Sequence, residues 1–124
     1  MLAVPPYSSN IDREIRKRRK LYFSDTGILN VLAKVSSGQL FENAIAVQLN
    51  QLGELNCFRK STGPEIDFIL NREMVLEVKE TPSAQDFSKM QSRAISIGIQ
   101  SYVLIGRNPP LGANVDFVWG GNIA

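Results

Sequence analysis

The stretch Gly63-Pro64-Glu65-Ile66-Asp67-Phe68-Ile69-Leu70, Asn71-Arg72-Glu73, Met74-Val75-Leu76-Glu77-Val78-Lys79 decides how this chain is read. Two apolar runs flank a short polar turn, which predicts an antiparallel hairpin. Each run carries a carboxylate where a strand interior favours Val or Ile. With residues 71 to 73 as the turn, position 70 faces 74 and position 67 faces 77. Facing residues share a side of the sheet, with Cβ atoms roughly 4.5–5.5 Å apart. Period-two alternation then adds Lys79 to that side, together with Ile69 and Val75. Two acids opposite each other among apolar neighbours are costly unless paired. A divalent cation held by Asp67 and Glu77 relieves the repulsion, and hard oxygen ligands suit Mg²⁺ or Mn²⁺. A salt bridge to Lys79 is the plainer alternative, and spacing alone does not separate the two.

Upstream of the hairpin, residues 1 to 10 hold Pro5, Pro6, Ser8, Ser9 and Asn10 and read as an irregular lead-in. Residues 11 to 20 fit one basic helical stretch, and Leu21 to Ser24 a short strand. Thr26 to Val35 has helical spacing at Ile28, Leu29, Leu32 and Val35. Gln39 to Leu52 is the clearest helix. Its stripe is Phe41, Ile45, Leu49 and Leu52, with Asn43 and Asn50 opposite and Glu42 at the stripe's edge. Asn56 to Lys60, Glu65 to Leu70 and Val75 to Glu80 read as strands. Ser83 with Asp86 predicts a capped helix bearing Phe87, Met90, Ala94 and Ile97, ended by Gly98. Tyr102 to Ile105 and Val115 to Trp119 follow as strands. The order α-β-β-β-α-β predicts a three-layer α/β domain with a βαβ crossover near its end.

Composition removes several chemistries. The chain of 124 residues suffices for one domain with a core. It has no histidine and one cysteine, Cys57. A Cys/His zinc site, a Ser-His-Asp triad and an intrachain disulfide are therefore excluded. No apolar run approaches the ~18–20 residues that cross a bilayer, and Met1 to Pro6 does not resemble a signal peptide. A cytoplasmic, membrane-independent protein is expected. Residues 1 to 20 hold six basic and two acidic residues, giving +4; the remainder holds eight and ten, giving −2. The basic character thus belongs to an N-terminal arm. No Walker sequence is present.

The Asp67 and Glu77-Val78-Lys79 arrangement resembles the PD-(D/E)XK nuclease superfamily, the restriction-endonuclease-like fold. Pro64 is not adjacent to Asp67, so the first half of that motif is loose. A wider resemblance joins Lys20-Leu21-Tyr22-Phe23-Ser24-Asp25-Thr26-Gly27-Ile28-Leu29, Leu40-Phe41-Glu42-Asn43 and the two strands, in that order, over roughly residues 5 to 106. It is similar to the uncharacterised C-terminal domain of prokaryotic P-loop ATPases. The resemblance implies a restriction-endonuclease-like core over residues 21–124, a basic extension or linker over 1–20, and a chain cut from a larger ATPase.

It also implies a site. Asp67 and Glu77 would hold Mg²⁺ or Mn²⁺, Glu42 would support the metal, and Lys79 would position water or phosphate in a phosphodiesterase reaction. Arg13, Arg16, Lys17, Arg18, Arg19 and Lys20 form a candidate nucleic-acid-binding arm, with a solvated linker as the alternative. Lys60 is a candidate phosphate contact or a plain strand-end lysine. Glu65 is a spare ligand or an edge acid, and Gln91 a helix-face residue. Expected partners are nucleic acid, DNA first, the ATPase portion, and a second copy of the chain. The competing expectation is a catalytically silent interaction or regulatory module on the same fold.

Overall fold

The computed structural model describes residues 2–7, 20–24, 36–59, 65–110 and 115–122. Strands β1 (Leu2–Val4) and β2 (Lys20–Tyr22) form a two-stranded antiparallel sheet. Helix α1 (Ser37–Asn50) leads to β3 (Leu55–Arg59), β4 (Glu65–Leu70) and β5 (Met74–Lys79). Helix α2 (Ala84–Ser96) then crosses to β6 (Ser101–Gly106) and the short β7 (Val118–Trp119), followed by a 3-10 turn at Gly120–Asn122. The second sheet has order β3-β4-β5-β6-β7. Its first three strands are antiparallel; β5, β6 and β7 are parallel.

Local chemistry explains these elements. Ser36 and Gln39 make a capping box on α1, and Ser83 and Asp86 make one on α2. Gly98, at φ 78°, closes α2. Its N–H donates to Ile95 O and the Ile99 N–H to Ala94 O, both at 3.0 Å, a Schellman closure. The hairpin turn uses Asn71 and Arg72 at positive φ, 53° and 59°. Asn suits that conformation, and its side chain also accepts the Glu54 N–H at 3.0 Å. The ladder pairs Phe68 with Leu76, Ile69 with Val75 and Leu70 with Met74, the register expected about residue 72.

Among the described residues, one helix covers each face of the sheet. Ile45, Ala46 and Leu49 of α1 pack with Phe68, Leu76, Val78, Val4 and Tyr22. Met90 and Ala94 of α2 pack with Ile66, Ile69, Val75 and Leu104. The architecture is α/β; among the described residues it is a five-stranded mixed sheet between two helices. The alternation Leu76, Val78 against Val75 places Glu77 and Lys79 at positions on the α2 side.

The N-terminal residues depart from the expected lead-in. Beyond β1, Pro6 bridges Cys57. The Cys57 N–H donates to Pro5 O at 3.0 Å, and the Tyr7 N–H donates to Cys57 O. Proline lacks an amide donor, so the seam uses its carbonyl and the following amide. It covers the outer edge of β3, which would otherwise expose unpaired backbone groups. Lys20 lies in a strand, where a basic helical stretch was expected. The rest of that stretch, and the helix expected over 26–35, lie outside the described residues. The strand expected over 115–119 contracts to its last two residues.

Candidate functional site

A β-bulge builds the site. Asn56 pairs with Ile69 but Phe58 pairs with Ile66, so Asp67 and Phe68 together oppose Cys57. Bulges locally re-aim side chains. Here alternation breaks between Ile66, on the α2 side, and Phe68, on the α1 side. Asp67 turns toward α1, and its electrostatic neighbours there are Glu42 and Lys20. The single face expected for Asp67, Glu77 and Lys79 is therefore not kept. Glu77 and Lys79 hold the α2-side positions, while Asp67 meets Glu77 in the gap between the strands.

That gap lies just past the last ladder pair. The Asp67 N–H donates to Glu77 Oε1 at 3.1 Å, and the Val78 N–H donates to Asp67 Oδ2 at 2.9 Å. Two carboxyl groups thus take the place of backbone carbonyl acceptors. Glu77 is 5 % exposed. Burial first, then the charge of Asp67, pushes its pKa up to about 8. Asp67 is also raised, by burial first and then by Glu42. Both carboxyl groups therefore hold protons more firmly than free ones do. Arg93 of α2 opposes the shift of Glu77 and donates to Glu65 O at 2.9 Å.

Glu42 faces the pair from α1. Its Oε2 accepts the Tyr22 hydroxyl at 2.8 Å and lies 3.0 Å from Lys20 Nζ. Burial, then Glu42, keeps the Tyr22 phenol well above its ordinary pKa, so it remains a donor. Lys20 sits 5.5 Å from the Tyr22 ring centre and 5.8 Å from that of Phe68. The next residue on α1, Asn43, clamps β2. Its Oδ1 accepts the Phe23 N–H at 2.9 Å and its Nδ2 donates to Phe23 O at 2.8 Å.

The expected site residues therefore divide. Asp67 and Glu77 are joined, and Glu42 is beside Asp67. Lys79 is exposed at the end of β5. Lys20 belongs to the carboxylate cluster as well as to the end of the basic arm. Glu65 is exposed, and Gln91 donates to the Tyr102 hydroxyl at 2.8 Å. Arg13, Arg16, Lys17, Arg18, Arg19 and Lys60 lie outside the described residues. Sequence reasoning missed Tyr22, placed only within a short strand, and Asn43, placed opposite the apolar stripe but only 3 % exposed. Their common signal was a polar group within two positions of a candidate site residue, Asn43 after Glu42 and Tyr22 two positions after Lys20.

Among the described residues no group of three Asp, Glu, Cys or His is arranged to hold a metal ion. No described helix is long and apolar enough to cross a membrane. Comparison with family models, with curated proteins and with solved structures gave no match.

Proposed function

We propose that the chain is a nuclease-derived, restriction-endonuclease-like domain whose carboxylate cluster takes a divalent cation and serves phosphodiester hydrolysis in nucleic acid. The observation that carries this reading is the Asp67–Glu77 pair at a sheet bulge, Glu77 buried and Asp67 half-buried, with Glu42 facing it. A buried acid pair is a poor stabilising device. Strand interiors would hold apolar residues at lower cost, and perturbed carboxyl groups cluster at functional sites. Antiparallel β3-β4-β5 followed by a parallel β5-α2-β6 unit also supports the proposed fold.

The donor set fits the cation in kind, since carboxylates are hard ligands for Mg²⁺ or Mn²⁺. Asp67, Glu77 and Glu42 would hold it, and when bound it would acidify water and offset phosphate charge. The chain's own contribution is to bury Glu77, to hold Asp67 and Glu77 by backbone donors, and to hold Glu42 by Tyr22 and Lys20. The basic arm from Arg13 to Lys20 would supply affinity for the phosphate backbone, DNA first. The ordered motifs from Lys20 to Lys79 support a role as C-terminal module of a P-loop ATPase.

A second reading, a catalytically silent interaction module, is favoured by one observation. Glu42 already pairs with Lys20 and Tyr22, and no described group of three carboxylates stands ready for a metal. One experiment separates them. Calorimetric titration with Mn²⁺ should show binding to the wild type that Asp67→Asn abolishes. Single-turnover assays with Mn²⁺ on single-stranded, duplex and branched DNA should show cleavage. Neither binding nor cleavage at millimolar Mn²⁺ would leave the silent module.

A further inference from the structure

We propose that Lys20, in place of Lys79, is the positioning cation of this site, acting through Glu42 beside Asp67. The inference rests on the hydrolytic reading above. The Lys20 side chain is 19 % exposed and its Nζ lies 3.0 Å from Glu42 Oε2. It also lies beside the paired Tyr22 and Phe68 rings, 5.5 Å and 5.8 Å from their centres. Phe68 is the bulge partner of Asp67, so the ammonium is indexed to the residue that the bulge re-aims. Lys20 and Tyr22 are two apart on β2 and therefore share a strand face. Both reach the same oxygen of Glu42, which holds that carboxylate from two directions.

Lys79 has the opposite placement. It is exposed on β5, at a position facing the α2 side, whereas Lys20, Glu42 and Asp67 meet on the α1 side. The sequence spacing Glu-X-Lys suggests a shared site; the bulge gives Asp67 the company of a different lysine. A lysine retained only to neutralise Glu42 is the competing account. That account predicts a change in stability and none in the chemical step.

Single-turnover cleavage of pre-bound DNA with Mn²⁺ distinguishes the two on the full chain, alongside Mn²⁺ calorimetry. Lys20→Met should lower the rate of pre-bound complexes ~100-fold or more while Mn²⁺ still binds. Lys20→Arg should recover the rate to within about tenfold, because the positive charge returns. Lys79→Met should cost at least about tenfold less than Lys20→Met. In an Glu42→Gln background the effect of Lys20→Met should shrink, since the two act as a unit. Lys20→Gln replaces the methionine variant should that fail to fold. A rate within about threefold of wild type for Lys20→Met, or a larger loss for Lys79→Met, overturns the assignment and leaves the hydrolytic reading standing. A wild type that neither binds Mn²⁺ nor cuts overturns both.

Discussion

Raising the pH from ~5 to ~8 should weaken the metal-free fold, through the Asp67–Glu77 pair. Unfolded, Glu77 ionises near its ordinary value of 4.5; folded, it keeps its proton up to about 8. Between those values the folded state binds more protons than the unfolded state. Stability from this group is therefore fully present below the unfolded value and is lost as pH rises through the folded one. Asp67 is shifted in the same direction. One pKa unit corresponds to about 1.4 kcal/mol, so the whole shift of Glu77 has a ceiling on the order of 5 kcal/mol. The two carboxyl groups shift one another, so that ceiling belongs to the pair. It is large beside the ~5–15 kcal/mol that stabilises a typical domain. The window is clean because the chain has no histidine, and burial moves Cys57 further above it. Urea unfolding in chelator, at steps from ~pH 5 to ~pH 8, should show midpoints falling with an unchanged m value. Glu77→Gln, neutral at every pH, should flatten most of that slope. A flat wild-type profile, or an equal slope in Glu77→Gln, would refute the account of a proton held in the sheet gap.

Phe68→Ala should cost roughly 3–5 kcal/mol in urea unfolding, since the ring is fully buried and packs 5.6 Å from the Tyr22 ring. Asn43→Ala should cost roughly 2–4 kcal/mol, because the buried amide satisfies both backbone groups of Phe23. A loss below about 1 kcal/mol would mean that β2 is not clamped this way. Gly98→Ala should cost only about 1 kcal/mol, read as a small drop in Tm. An added Cβ there meets nothing within 4 Å, so the penalty comes from the positive φ alone.

Elements governed by local chemistry were legible in the sequence. The Ser83–Asp86 capping box, the Gly98 stop and the hairpin register each depend on residues a few positions apart, and each was expected within about two residues, whereas the Ser36–Gln39 box was not anticipated. The N-terminal seam was not legible. Pro5 and Pro6 signal a break in regular structure, but their docking on β3 depends on Cys57, distant in sequence. Asn43 failed for a related reason. Helical periodicity assigns an asparagine to the solvent face, whereas Phe23 offers it two backbone partners that periodicity does not contain.

The site shows the same division at finer scale. Counting from the turn put Asp67 opposite Glu77, and the two do meet. Counting in twos also gave them one face, and this failed because alternation assumes an unbroken ladder on both flanks of β4. The β5 flank is regular through Phe68, but the β3 flank carries an extra residue at Asp67 and Phe68. Asp67 is unusual in a strand interior, but that composition does not specify an extra residue on one flank, so no local signal locates the bulge. The insertion separates the two halves of the Asp…Glu-X-Lys pattern. It leaves Glu77 and Lys79 at α2-side positions and turns Asp67 toward Glu42, Tyr22 and Lys20. A buried carboxyl group needs a donor or a cation wherever it points. Asp67 has its donor in the Val78 N–H of β5, and once it turns toward α1 the cation that favours its charged form is Lys20 of β2. The lysine that matters is then chosen by the bulge, not by its distance along the chain from Glu77.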